Sequence, residues 1–86
     1  MIHSIDWKIV VIDDEEDIRQ VISVVLADAG FEVATARDGE EGIKICSKFS
    51  PQIVLTDIRM PKMDGLQVLE VLKNKSPEIE DLFFKT

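Results

Sequence analysis

The sequence predicts an α/β fold in which three βα units build one parallel sheet. Strand-like and helix-like segments alternate along the chain, and that order is typical of parallel sheets with right-handed crossovers. Two of the strand-like segments are short runs rich in valine and isoleucine, as expected for strands buried on both faces. Each of these two runs ends abruptly in aspartate. A length of 86 residues, 45% of them hydrophobic, fits a single small globular domain.

The first unit begins with the apolar run over residues 8–12, which is followed by five consecutive acidic residues. Acidic side chains stabilise a helix N-terminus by roughly 0.3–1 kcal/mol each, and this suffices to explain residues 15–17. It does not explain Asp13 and Asp14, which stand directly at the strand end, where their mutual repulsion is least screened. For these two residues a metal site is the favoured interpretation.

The other elements follow from the spacing of apolar residues and from helix-ending residues. They are a helix over 16–29, a polar edge strand over 31–36, a helix over 40–48, a strand over 53–56 and a helix from 66 to about 75. Gly30 ends the first of these helices. The apolar stripe of that helix consists of Ile18, Val21, Ile22, Val25 and Leu26.

The third strand ends in Asp57, and a loop carrying Pro61 and Gly65 separates it from the next helix. Ligands of open parallel sheets bind at the carboxyl ends of the strands. If the strand order is 2-1-3, strands 1 and 3 are neighbours about 4.8 Å apart, and Asp13, Asp14 and Asp57 share one pocket. The plainer alternatives, in which Asp57 caps its loop and Pro61 and Gly65 form an ordinary turn, stay open.

Three carboxylates in one pocket are unfavourable unless their pKa values rise or a cation binds. The predicted ligands are all oxygen atoms, without a nearby histidine or cysteine. Such a set favours a hard divalent cation such as Mg²⁺, or Mn²⁺ in its place.

The motifs VVIDDEED and LTDIRMPKMDG, at this separation, resemble the receiver domain of two-component response regulators. The resemblance covers residues 8 to about 75 and implies a flavodoxin-like sheet. It also implies that Asp57 is the phosphoacceptor, which takes its phosphoryl group from a sensor histidine kinase, a phosphotransfer protein or a small phosphodonor. The implied Mg²⁺ ligands are Asp14 and Asp57 directly, Asp13 through water, and the backbone carbonyl of Arg59. Pro61 and Gly65 would shape the loop that carries this carbonyl.

The chain departs from the family pattern after residue 75, because receivers continue through a fourth and a fifth strand that bring a Ser or Thr and a Lys to the phosphoryl group. We therefore expect a single truncated domain over 1–86, with a divergent tail over 76–86. A helix that begins at Ser76 and Pro77 fits the tail better than a fourth strand, which would bring Lys85 or Thr86 near the missing Ser or Thr. We further expect self-association through the tail or through the open edge of strand 3.

The net charge of the chain restricts the classes of partner that it is expected to bind. The formal net charge is −7, from 17 acidic and 10 basic residues, which argues against direct nucleic-acid binding. No stretch predicts a membrane span or a signal peptide, so a cytoplasmic setting is expected.

The resemblance thus implies a signalling phosphoacceptor rather than an enzyme, with at most Mg²⁺-dependent self-phosphorylation and autodephosphorylation. One alternative is a non-switching, self-associating interaction module that retains only the acidic metal pocket. A phosphohydrolase of the haloacid-dehalogenase class is disfavoured, because Arg59 stands where that class has a second aspartate.

Overall fold

The computed structural model describes residues 7–60 and 62–84, and the elements below are those of this part of the chain. Strands and helices alternate along it, as the sequence predicts. Among the described helices, none combines the length and the apolar character needed to cross a membrane. The elements are β1 (Lys8–Ile12), α1 (Glu16–Asp28), β2 (Glu32–Ala36), α2 (Gly39–Phe49), β3 (Ile53–Asp57), α3 (Gly65–Lys75) and β4 (Glu80–Phe84).

All strand pairs of the sheet are parallel, and the strand order is β2-β1-β3-β4. The predicted order 2-1-3 is therefore confirmed, with a fourth strand added beside β3. The two valine- and isoleucine-rich runs form the central strands β1 and β3. The last four residues of β1 are buried, and β3 is buried except for the half-buried Ile53 and Leu55. Ile12 pairs with Thr56 in the register, so the next residues of the two strands, Asp13 and Asp57, reach the same edge of the sheet side by side.

The helix predicted for the tail is wrong. Residues Glu80–Phe84 form β4 and pair with β3, so the predicted open edge of β3 is wrong as well. Ser76 and Pro77 carry a helix-start signal, but Ile79 is buried in the core with 3% of its surface exposed, and the free edge of β3 offers backbone partners to the residues that follow. Tertiary burial has overridden the local preference. Lys85 and Thr86 lie outside the described residues.

The start of β4 is held by a lysine of α3. Lys73 Nζ donates a hydrogen bond to the backbone carbonyl of Ile79 at 2.5 Å and another to that of Pro77 at 3.3 Å. A charged donor thus satisfies two carbonyl groups of the connection between α3 and β4. This arrangement fixes the point at which the chain enters the sheet.

Replacing Lys73 with methionine is expected to destabilise the protein by about 1–2 kcal/mol, because a charge-assisted hydrogen bond is lost while the apolar stem stays. Urea unfolding measures the change, and faster hydrogen exchange of the β4 amides locates it. Lys75→Met is the control, since Lys75 is an exposed residue at the end of the same helix. Equal effects of the two substitutions would contradict a specific role of Lys73.

The main core lies on the face of the sheet covered by α2 and α3. Cys46 is buried there with 5% of its surface exposed. The core consists of Val10, Ile12, Ala36, Cys46, Val54, Met60, Val68, Leu72 and Ile79. Because Ile12 directly precedes Asp13, this packing also supports the end of β1.

Gly42 lets α2 approach β1 closely. A Cβ atom at this position would lie 2.9 Å from Ile12 Cγ1 and closer still to its Cδ1. Gly42→Ala is therefore expected to destabilise the protein by about 1–2 kcal/mol, although alanine favours a helix by up to about 1 kcal/mol. Thermal unfolding measures the change. Ile12→Val, which removes Cδ1, should cost less in the Gly42→Ala background than alone, and a more stable Gly42→Ala protein would refute the steric explanation.

The α1 helix covers only part of the opposite face, where it packs on β2 and β1. Val21 and Val25 of its predicted apolar stripe are 62% and 60% exposed, and no residue of α1 is fully buried. Within the described residues no other helix packs on this face of the sheet, so the outer flank of α1 has no neighbour. The predicted stripe is present in sequence, but only Ile18, Ile22 and Leu26 are half-buried.

Candidate functional site

Three carboxylates meet at the carboxyl edge of the sheet. One oxygen from each of Asp13, Asp14 and Asp57 lies within 4.8 Å of the others. Asp13 directly follows β1 and Asp57 ends the neighbouring β3. They have 0% and 2% of their surface exposed, whereas Asp14 is exposed. The structure thus brings together the three aspartates that the sequence predicts to share a pocket, and the pocket has one side open to solvent.

The two buried aspartates are fixed by the same kind of turn. Asp13 Oδ1 accepts a hydrogen bond from the backbone N–H of Glu15 at 2.9 Å, and Asp57 Oδ1 accepts one from the N–H of Arg59 at 3.0 Å. Aspartate commonly bonds the backbone two residues ahead in this way. The turn after each strand therefore fixes the position of one oxygen of the carboxylate at that strand's end.

The charged form of Asp13 is disfavoured by its surroundings. Burial raises the pKa of its carboxyl group, the hydrogen bond from Glu15 lowers it, and the nearby charges of Asp57 and Asp14 raise it again, with a net upward shift. Its Oδ2 atom is buried and has no hydrogen-bond partner in the described part of the chain. A buried carboxylate oxygen in that state needs a proton or a cation.

The donor set fits a hard cation. Three carboxylate groups can supply oxygen ligands, and the unpartnered Asp13 Oδ2 is a specific place where a cation or its water shell would relieve an unsatisfied atom. Arg19 does not fill this role, because its Nη1 donates to the backbone carbonyl of Asp13, at 2.8 Å. The residues present therefore suit a divalent metal ion bound through oxygen.

A backbone hydrogen bond closes the loop between β3 and α3. The buried Gly65 begins α3, and its N–H donates to the carbonyl of Ile58 at 3.1 Å. Asp64 caps α3 by accepting from Gln67 N at 2.9 Å, and the Gln67 side chain accepts from Asp64 N at 3.0 Å. Pro61 lies outside the described residues, and a ligand role of the Arg59 carbonyl stays a prediction.

The loop after β2 also lies at the site, and the sequence did not predict it there. The loop after β2 emerges at the same sheet edge as Asp13 and Asp57, and Arg37 and Asp38 of this loop line a cavity that also includes Asp14. In the sequence, Asp38 and Gly39 indicate only a turn or a helix cap, and Asp38 does cap α2 by accepting a hydrogen bond from Glu41 N. The signal that could have found this neighbour is the strand order, since it places three loops around one edge.

A protein-family model described as "Response regulator receiver domain" matches residues 9–84 of this chain. The chain belongs to the response regulator receiver family. It is therefore a receiver domain of the kind found in the response regulators of two-component systems. The family resemblance predicted from the two motifs is thus confirmed.

Curated relatives carry the same region within longer proteins. The receiver domain is 44% identical over 69 residues to "Probable transcriptional regulator ycf27" of Cyanophora paradoxa, which covers 80% of this chain and 29% of that protein. It is 38% identical over 68 residues to "Alkaline phosphatase synthesis transcriptional regulatory protein PhoP" of Bacillus subtilis, covering 79% and 28%. The chain therefore spans less than a third of the length of these relatives.

Solved structures show the same fold. A response regulator receiver domain protein from Clostridium thermocellum matches with a TM-score of 0.86 at 38% identity, over 90% of this chain and 63% of that one. The chemotaxis protein CheY4 of Vibrio cholerae matches with a TM-score of 0.88 at 32% identity, over 92% and 68%. The predicted receiver-like fold is therefore confirmed.

Proposed function

We propose that this receiver domain accepts a phosphoryl group on Asp57 in a reaction that requires Mg²⁺. The observation that carries the proposal is the cluster of Asp13, Asp14 and Asp57, whose oxygens lie within 4.8 Å of one another at the carboxyl edge of the sheet. Two of these carboxylates are buried, and one buried oxygen lacks a partner among the described residues. Carboxylates that served only to stabilise the fold would not need to lie so close together, because their mutual repulsion is unfavourable.

The proposed metal ligands are Asp14 and Asp57 directly, Asp13 through water, and the backbone carbonyl of Arg59, with Mn²⁺ as a substitute ion. Bound Mg²⁺ supplies positive charge that offsets both the carboxylates and the oxygens of a transferring phosphoryl group. Pro61 and Gly65 are proposed to shape the loop, and the hydrogen bond from Gly65 N to Ile58 O supports this role for Gly65.

Asp57 is proposed to act as the nucleophile. Its Oδ1 accepts the hydrogen bond from the N–H of Arg59. The new bond joins a carboxylate oxygen of Asp57 to phosphorus, while the bond from phosphorus to the donor atom breaks and its electron pair stays on the donor. Because an ionised carboxylate has no proton to lose, the attack needs no general base.

The proposed partner is a sensor histidine kinase or a phosphotransfer protein, in the cytoplasm, where such a kinase finds ATP. The proposed domain is the whole chain, 1–86, with residues 8–75 carrying the site. Self-phosphorylation from a small phosphodonor and autodephosphorylation are the proposed limits of its chemistry. Direct binding to nucleic acid or to a membrane forms no part of the proposal.

An interaction module that assembles without being phosphorylated is the second candidate. Leu82 of β4 is 53% exposed, and among the described residues no strand pairs with the outer edge of β4. An unpaired apolar edge favours pairing with a second chain, so we propose a homodimer formed at this edge or through the tail. Sedimentation at micromolar concentration tests it, and a monomer at all concentrations would contradict it.

Intact-mass spectrometry after incubation with acetyl phosphate tests the proposed function. We expect one phosphoryl adduct with Mg²⁺ and none with EDTA, stable in acid and lost in base, as an acyl phosphate should be. Phosphoramidate serves as a second donor. Binding of Mg²⁺ without an adduct from either donor would instead favour the interaction module.

A further inference from the structure

The side chain of Arg19 reaches back from α1 to the end of β1. Arg19 lies near the start of α1 and is half-buried. Its Nη1 donates a hydrogen bond of 2.8 Å to the backbone carbonyl of Asp13, six positions earlier in the chain. Side chains of a helix tilt toward its N-terminus, so a long side chain near the start can contact the residues that precede the helix.

Arg19 and β2 together hold the two sides of the Asp13 backbone. The N–H of Asp13 donates to the carbonyl of Ala36 at 3.1 Å, while the carbonyl of Asp13 accepts from Arg19. A peptide group is planar, so the direction of this carbonyl also fixes the N–H of Asp14, which belongs to the same peptide plane. That plane determines where the Cα atom of Asp14 lies and restricts the directions in which its carboxylate can point.

Asp14 is the member of the carboxylate cluster that most needs this support. Asp13 and Asp57 are buried, with 0% and 2% of their surface exposed, whereas Asp14 is exposed. Packing therefore restricts the first two carboxylates, and the third depends mainly on its backbone. Asp14 is also one of the two proposed direct ligands of Mg²⁺.

Arg19 acts on the cluster through geometry rather than through charge. Burial and the charges of Asp57 and Asp14 raise the pKa of Asp13 although the guanidinium lies nearby, so Arg19 does not neutralise the cluster. Within the described part of the chain, Arg19 forms no ion pair with a carboxylate. A positive charge at this position repels Mg²⁺, so charge alone would weaken the binding of the ion.

We propose that Arg19 is a positioning residue for the cation, because it holds the peptide between Asp13 and Asp14 so that the Asp14 carboxylate is directed at the Mg²⁺ site. The inference rests on the proposed function for the identity of the ion. Loss of a partner that orients a metal ligand typically costs about 10–100-fold in metal affinity. A single hydrogen bond to a backbone carbonyl belongs at the low end of this range.

Calorimetric titration with Mg²⁺, without any phosphodonor, tests the proposal. Arg19→Met keeps the apolar stem but removes the hydrogen bond, and it is expected to raise the Kd for Mg²⁺ about ten-fold. Arg19→Lys keeps a charged donor without the planar fork, and it should raise the Kd about three-fold. Arg37→Met is the control, because Arg37 lines a cavity together with Asp14 and its loss removes an equal charge. This control should lower the Kd by up to about two-fold.

The opposite signs expected for the two methionine variants separate positioning from charge. If Arg19 acted through its charge, Arg19→Met would bind Mg²⁺ more tightly than the wild-type protein. Unchanged or tighter binding by Arg19→Met therefore overturns the proposal. If Arg19→Met does not fold, Arg19→Lys provides the same test, and an unchanged Kd in that variant is then the contradicting result. At saturating Mg²⁺, the rate of adduct formation from acetyl phosphate should stay within about two-fold, because only the binding of the ion is affected.

Backbone ¹⁵N relaxation of the metal-free proteins gives a readout that depends on neither Mg²⁺ nor phosphorylation. The order parameter of the Asp14 amide should be about 0.85 in the wild-type protein and should fall below about 0.6 in Arg19→Met. The amide of Gln67 in α3 should stay unchanged, which checks the fold. An Asp14 amide that stays equally ordered would contradict the positioning role. If the wild-type protein binds no Mg²⁺, the proposed function fails, and the order parameter by itself then decides whether Arg19 orients Asp14.

Discussion

Replacing Asp57 with asparagine is expected to abolish phosphoryl uptake from every donor, a loss of about 10³-fold or more in rate. The amide cannot serve as the nucleophile and weakens the binding of a cation. The fold should survive, because asparagine keeps an oxygen that can accept the hydrogen bond from Arg59 N, now at 3.0 Å. Intact-mass spectrometry with acetyl phosphate and phosphoramidate measures the loss, and circular dichroism checks the fold.

Asp64→Asn is the matched control for this experiment. Asp64 belongs to the same loop but caps α3, and asparagine is an equally good cap, so the adduct should form at a nearly unchanged rate. An adduct that persists in Asp57→Asn with the same stability in acid would falsify the assignment of the phosphoacceptor. Loss of the adduct in both variants would show that the loop, rather than Asp57, is what matters.

Replacing Asp13 with asparagine is expected to stabilise the metal-free protein and to weaken its binding of Mg²⁺. The amide would remove a buried charge that repels Asp57 and would place a donor where Oδ2 of Asp13 now lacks a partner among the described residues. The expected gain in the free energy of unfolding is about 1–2 kcal/mol. In a domain of this size, each kcal/mol raises Tm by roughly 4–8 °C. Calorimetry in EDTA measures the gain.

The same substitution should change how stability depends on pH. The pKa of Asp13 is raised in the folded state above its ordinary value of 3.8, so folded protein binds more protons than unfolded protein between these two values. The stabilisation from protonated Asp13 is complete below 3.8 and is lost as pH rises through the folded-state pKa. Metal-free wild-type protein should therefore lose stability over that interval, and Asp13→Asn should lose less.

Two comparisons make the Asp13 prediction decisive. Mg²⁺ should restore stability to the wild-type protein, by about 2.7 kcal/mol at a concentration one hundred times Kd, and should do so much less for the variant. Asp17→Asn removes an exposed acid from the first turn of α1 and should destabilise slightly, the opposite sign, through the helix dipole. A lower Tm for Asp13→Asn in EDTA would show that repulsion in the cluster is not the dominant effect.

The sequence predicted the strands that carry the site because their signals are local. Runs of β-branched residues mark β1 and β3. An aspartate stands directly after each apolar run, which places a carboxylate at the end of each strand. The strand order 2-1-3 was a condition that the resemblance to receiver domains implies, and no local signal marks it. Asp13 and Asp57 could therefore be placed together although they are far apart along the chain.

The features that sequence reasoning missed depend on neighbours. The apolar stripe of α1 would look the same whether its outer flank were covered or exposed, so the exposure of Val21 and Val25 could not be foreseen. Ser76 and Pro77, which precede β4, carry a helix-start signal. It is overridden by the burial of Ile79 and by pairing with the edge of β3. The cavity beside Asp14 that Arg37 and Asp38 line is built from three separate loops, and no local pattern in any of them marks it.

The paired turns at Asp13 and Asp57 have a consequence for protein engineering. Each carboxylate accepts a hydrogen bond from an amide only two positions along its own backbone, so this part of its orientation is local. A host scaffold would need to contribute two adjacent parallel strands of matching length and the buried surroundings of both carboxylates. Grafting the two short segments onto an unrelated sheet should therefore transplant the carboxylate geometry without the rest of this molecule.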